Sequence, residues 1–256
     1  MNALKNALKL LRISSVALAA TLGAATTPSS SFYAAPAPLD DRVVRVTAAE
    51  VDASNEKVKA AYGDLVSMWT ADFARLGERF AVPQLARYRS TIRTPCGVMQ
   101  RNNAGYCPAN NTVYYDDVFV AAQAKLAGRE LGTDGDMAAV GVIAHEVGHA
   151  VAIQLGHESR VTYQNEAAAD CLAGAFARHA DSNGSLEHGD LEEAFFGMAT
   201  AGDPQPELTG NDHIDRRILA RAAMAGHGTR EQRMANFRGG YDAGAGACLT
   251  EFQQQG

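Results

Sequence analysis

His145, Glu146 and His149 fall in the stretch VIAHEVGHAVAIQLG, residues 142–156. The two histidines are four residues apart. At about 100° per residue they share one face of a helix, so both imidazoles can reach a single tetrahedral metal ion. Glu146 projects to one side of that face. From there it can serve as a general base toward a water on the metal without binding the ion itself. The same five-residue pattern also arises by chance, so its surroundings must support it.

The surroundings are apolar. Val140, Val142, Ile143, Val147 and Val151 flank the motif. Burying two histidines and a glutamate there without partners would cost roughly 1–3 kcal/mol per unsatisfied group. A metal ion removes that cost. A catalytic zinc takes three protein ligands and keeps a fourth position open. Beyond His149 the chain reads NEAAAD, which places Glu166, seventeen residues on, and Asp170 four apart on a second helical face. Glu166 can complete a His2Glu set for one zinc per chain. Asp170 can accept the free N–H of a ligand imidazole, His145 being the expected partner. Asp170 as third ligand is the competing assignment. Gly148 and Ala167 to Ala169 are small enough for the two helices to approach closely.

The elements that must position these groups are mostly helical. Val58, Tyr62, Leu65, Val66, Trp69 and Phe73 recur at helical spacing, which predicts an amphipathic helix from Ser54, its N-cap, to about Leu76. QLARYRSTIR and NTVYYDDVFV, between residues 84 and 120, are rich in β-branched and aromatic residues and predict a small β region. DMAAVGVIAHEVGHAVAIQL predicts one helix over Asp136–Leu155, capped by Asp134 or Asp136 and ended by Gly156. Further helices are expected at Thr162–His179 and Asp190–Thr200, and in HIDRRILARAAM and TREQRMANFRGGY. The fold class is therefore α+β and mainly helical, with no internal repeat.

The N-terminus reads as an export signal. MNALKNALKLLR carries Lys5, Lys9 and Arg12 without an acid, and Ile13 to Ala25 is apolar or small. That run of 13 residues is short of the roughly 20 that span a bilayer. The expected organisation is a signal peptide at 1–25, a Ser/Pro/Ala-rich linker at 26–53 and one catalytic domain at 54–256. The alternative is an uncleaved tether. Periplasm and medium are both open as destinations, and the mature chain is expected to carry no membrane span. Removing the three positive charges takes the net charge from −6 to −9. Such a chain lacks the basic face that duplex nucleic acid requires. At 46% hydrophobic and 20% charged residues it is globular rather than disordered.

Four cysteines, Cys96, Cys107, Cys171 and Cys248, suit two disulfides in an exported chain. They allow three pairings. Cys96 with Cys107 would close a short Gly/Asn-rich loop, and Cys171 with Cys248 would then tie the C-terminal tail to an earlier helix. No CxxC spacing supports a thiolate metal site instead.

HEVGH followed by NEAAAD resembles the gluzincin arrangement, as in thermolysin. PCG, GYCPANNTVYYDD, VIAHEVGHAV, ADCLAG and HGTREQRMANFRGGYDAG with Cys248 occur in this order over roughly residues 55–250. In that respect the chain resembles the bacterial putative neutral zinc metallopeptidase family. The resemblance implies a zincin-like metallopeptidase domain, with His145, His149 and Glu166 as zinc ligands and Glu146 as the catalytic carboxylate. The family's paired cysteines fit the two disulfides. Asn110, Pro204 and Asn236 depart from the family's usual Asp, Asp and Trp, and none of them touches the metal motif.

The expected reaction is hydrolysis of a peptide or protein substrate by a zinc-activated water, with Glu146 as general base. An oxyanion partner is also needed. His227 is the first candidate and Tyr163 the second, although His227 could instead cap a helix or hold the tail. NTVYYDD, with Tyr114 and Tyr115, could offer an edge strand to an extended peptide, or be an ordinary strand. The alternatives are a non-catalytic zinc-stabilised envelope module and a zinc hydrolase of a non-peptide amide.

Overall fold

The computed structural model describes residues 44–248. The expected signal peptide and most of the expected linker lie outside them. Helix α1 spans Ala48–Arg75, beginning six residues before the expected Ser54 cap. Thr47 is the true cap, in a capping box with Glu50. The apolar periodicity is clear only from Val58 onward, which hid the first turns. Ser54 is buried inside the helix, and the last six residues of the expected linker are helical.

Five short strands follow: β1 Gln84–Tyr88, β2 Ile92–Thr94, β3 Gly97–Met99, β4 Ala104–Cys107 and β5 Thr112–Asp116. β2 and β3 form an antiparallel pair. The other three make a sheet ordered β1-β5-β4, with β1 parallel and β4 antiparallel to β5. β5 is therefore the central strand of that sheet and cannot be the edge strand expected of NTVYYDD. The edges are β1 and β4.

The strand character read into residues up to 120 also stops early. Asp116 ends β5 and caps helix α2, Asp117–Leu131, by accepting from the Val118 and Phe119 amides. Asp117 is buried and pairs with Arg89 and Asn55.

Helix α3, Asp136–Gln154, carries the HEVGH motif. Its N-cap is Gly135, in the left-handed conformation (φ 82°), so neither Asp134 nor Asp136 is the cap. A side chain at Gly135 would overlap the Ala124 carbonyl, so the turn requires glycine. Glu193, from a later helix, supplies the missing acceptors: its two carboxylate oxygens take the Gly135 and Met137 amides at 2.9 Å each. α3 is buried on nearly every side, which is why it lacks a polar stripe. It is long and apolar enough to cross a membrane, but it is the core helix of this domain.

Around α3 lie α4 Thr162–Ser182, α5 Asp190–Thr200, α6 Asp212–Ala225, α7 Arg230–Ala243 and the single turn α8 Ala245–Cys248. Among the described residues the architecture is mainly helical with two small sheets, an α+β arrangement. Both disulfides form as paired above, Cys96–Cys107 and Cys171–Cys248, with Cα atoms 5.6 and 5.5 Å apart. No described cysteine is free to bind a metal.

α4 and α7 pack through glycine. A methyl group on Gly240 would overlap the Cys171 carbonyl, and one on Gly174 would overlap the Phe237 carbonyl. Gly239, next in the chain, has open space around it. Gly240→Ala should therefore cost about 3 kcal/mol or more in urea unfolding with disulfides intact. Gly239→Ala should be neutral or stabilising by up to about 1 kcal/mol. Equal effects at the two sites would contradict this packing.

Candidate metal centre

The close approach of α3 and α4 builds the site. A Cβ on Gly148 would sit 2.8 Å from the Ala169 carbonyl oxygen, so the small residues on both helices are what allow contact. That contact brings Glu166 of α4 to the two histidines of α3. His145 Nε2 lies 3.2 Å from His149 Nε2 and 3.2 Å from Glu166 Oε2. His149 Nε2 lies 3.5 Å from Glu166 Oε1. One ligand atom from each of the three falls within 4.8 Å of the others. Two imidazole nitrogens and a carboxylate at this spacing suit zinc by donor type and number.

Behind the ligands runs a chain of charge. His145 Nδ1 lies 2.8 Å from Asp170 Oδ1, an acceptor that can hold the Nδ1–H and leave Nε2 to a metal. Burial and Arg233 lower the His145 pKa, but Asp170 and Glu166 outweigh them and raise it to about 9, so a cation bound at Nε2 displaces a proton. Asp170 is fully buried and is gripped by Arg233, whose Nη2 is 2.6 Å from Oδ1 and whose Nε is 3.1 Å from Oδ2. Arg233 Nη1 donates to the Ala201 carbonyl at 3.1 Å. This geometry favours Asp170 as the support of His145 over Asp170 as third ligand.

Burial raises the Asp170 pKa, but Arg233 and His145 outweigh it and hold the carboxyl below the usual range. Burial also raises Glu166, yet the histidines pull it down to about 2. Burial and the neighbouring His145 push His149 down to about 4, which keeps its imidazole neutral near pH 7. Both carboxylates and the His149 lone pair are thus in the form a cation needs.

Glu146 is 8% exposed, and its Oε2 accepts the Tyr106 amide at 2.8 Å. Burial pushes its pKa up. Tyr106 belongs to β4, so this edge strand both orients the carboxylate and lines the cleft. The cleft is a cavity of about 520 Å³ bordered by Asn103 to Tyr106 on one side and by α3 and α4 on the other.

The remaining candidates are placed differently. His227 lines the cavity and is largely exposed; its amide donates to Asp203 Oδ2 at 2.6 Å. It is not a helix cap, since Thr229 caps α7. Tyr163 lies against Gly228 and lines a separate cavity rather than the cleft. Tyr114 on the central strand receives a hydrogen bond from Asn110, and Tyr115 is buried with its hydroxyl on Asn55; neither lines the cleft.

Two contributors escaped the sequence reading. The Tyr106 amide is a backbone group and leaves no residue signature. Arg233 did leave one: Arg233, Phe237 and Gly240 are the buried residues of α7 and recur at helical spacing, so a charge sits in phase with an apolar face.

The model of the family described as "Putative neutral zinc metallopeptidase" matches residues 10–252. "Uncharacterized protein YpfJ" of Escherichia coli strain K12 is 35% identical over 202 residues, 72% of this chain and 66% of that protein. "Uncharacterized protein Rv2575" of Mycobacterium tuberculosis strain H37Rv is 28% identical over 185 residues, 63% of this chain and 59% of that protein. The match thus spans less than two thirds of the length of either relative. No solved structure matches the chain.

Asp170→Asn should weaken zinc binding by about 10- to 100-fold in competition with a chromophoric chelator, because His145 loses the acceptor that orients it. Unchanged affinity in the folded variant would contradict the supporting role.

Proposed function

The chain belongs to the putative neutral zinc metallopeptidase family, and from that premise we propose that it is a zinc-dependent metallopeptidase with a zincin-like catalytic domain. The observation that carries this reading is the convergence of His145, His149 and Glu166 beside a buried Glu146 that binds none of them. A purely structural zinc site closes all four positions with protein ligands and has no use for a carboxylate held alongside.

Zinc held by His145, His149 and Glu166 would supply Lewis acidity toward a peptide carbonyl and would bring the pKa of a water near 7. Glu146 supplies the base. Its carboxylate, fixed by the Tyr106 amide, takes a proton from the attacking water and returns it to the leaving amine. Its raised pKa makes that return easier than for an ordinary glutamate. His227, on the cavity wall, remains the candidate to donate to the developing oxyanion. Tyr163 and Tyr114 have no part in this scheme.

The substrate class is a peptide or protein. β4 is an edge of its sheet and borders the cleft, so an extended peptide can lie alongside it and use its backbone groups. The N-terminal signal pattern and the two disulfides support export, to the periplasm or the medium. A chain retained by an uncleaved N-terminal segment would place the same domain at the membrane surface.

Glu146→Gln should keep the zinc and lose peptide hydrolysis by about 10²- to 10⁴-fold, measured on an unstructured protein or quenched peptide library. Hydrolysis at the wild-type rate by a zinc-loaded variant would remove Glu146 from the reaction.

A further inference from the structure

A second group of acids lies at the other end of α3. We propose that Asp134, Asp136, Asp190 and Glu193 form a calcium site that ties the start of α3 to the start of α5. One oxygen from each of the four carboxylates falls within 4.8 Å of the others. Asp134 sits in the turn before α3, Asp136 opens α3, Asp190 opens α5 and Glu193 lies one turn further along.

Acids at helix starts are common and need no ion. Here one of them is in an unusual state. Asp190 is 4% exposed, and its Oδ1 is buried with no hydrogen-bond partner among the described residues. Its Oδ2 accepts a hydrogen bond from the Glu187 amide at 2.6 Å. A buried, unpartnered carboxylate oxygen among three further carboxylates is costly, both by desolvation and by repulsion. Burial first, with Asp136, Glu193 and Asp134 adding to it, pushes the Asp190 pKa up to about 6. Lys57 pairs with the neighbouring acids instead: Asp136 at 2.6 Å, and Asp134 and Glu187 at 3.9 Å each.

The donor chemistry selects the ion. All the donors are carboxylate oxygens, with no imidazole or thiolate, which suits a hard cation rather than zinc. Calcium accepts six to eight oxygens at about 2.3–2.6 Å in flexible geometry. Magnesium demands a tight octahedron and keeps its waters. Four carboxylates gathered from a turn and two helices, two of them buried, meet the first requirement better than the second.

The site would act on α3 through Glu193. That side chain already holds the Gly135 and Met137 amides in place of an N-cap. An ion held by Glu193, Asp190 and the two acids of the α3 turn would lock this cap. The inference is independent of the zinc reading, since no residue is shared between the two sites.

The test uses the full chain loaded with one equivalent of zinc and desalted into calcium-free buffer. Titration with calcium chloride should show one ion bound per chain by calorimetry. The melting temperature should rise by about 5 °C or more at saturating calcium, and an equal concentration of magnesium should not reproduce the rise. Asp190→Asn should abolish the calcium response and melt at or above the wild type in calcium-free buffer, because it removes a repelled charge. Asp134→Asn, at an exposed position, should weaken binding without harming the fold. No bound calcium in the wild type, an equal response to magnesium, or an undiminished response in both folded variants would overturn the proposal.

Discussion

The core helix of this protein carries His145 and Glu146 where water barely reaches, and the rest of the structure answers to that burial. A charged or hydrogen-bonding group in such a place must find a partner or lose several kcal/mol. His145 finds Asp170, Asp170 finds Arg233, and Arg233 passes its remaining donor to the Ala201 carbonyl. Glu146 finds the Tyr106 amide. The Nε2 atoms of His145 and His149 and the Glu166 carboxylate are left facing one another, a donor set for one zinc. The partners come from α4, α7, the end of α5 and the edge of the sheet, so the chain must bring these elements to α3 at one point.

Small residues and cross-links make that convergence possible. Gly148 lets the α4 backbone reach α3 at Ala169, and Gly174 and Gly240 let α7 reach α4. Each disulfide stands beside a supporting group. Cys107 follows Tyr106, and Cys171 follows Asp170. The strand that steadies Glu146 and the helix that carries the Glu166 and Asp170 carboxylates are thus both covalently anchored next to the residues that matter. Few residues in this arrangement can vary alone, because a displaced helix would leave a buried charge without its partner.

The local part of this arrangement was legible in the sequence. The four-residue spacings of His145 with His149 and of Glu166 with Asp170 fix shared helical faces, and the apolar run around the first pair signals a buried helix. The helix from Asp136 follows from its continuous apolar run, and the later ones from the Gly- and Pro-containing breaks between them. What needed three dimensions was contact between distant segments. Glu193 as acceptor for the α3 start could not be read from residues near Gly135, and the visible Asp134 and Asp136 suggested a local cap instead. Tyr114 and Tyr115 looked like edge-strand residues because alternation alone does not reveal which strand lies outermost. The start of α1 was missed because Thr47 and Glu50 precede the clear apolar stripe. Arg233 was the legible signal left unread, a charge in register with Phe237 and Gly240.

The central claim is that His145, His149 and Glu166 hold one zinc while Asp170 only supports it. Zinc content by elemental mass spectrometry, on wild type and Glu166→Ala purified in parallel, tests it most directly. The account predicts about one zinc per wild-type chain and nearly none in the folded Glu166→Ala chain. A folded wild-type chain without zinc, or full zinc retention after Glu166→Ala, would contradict it.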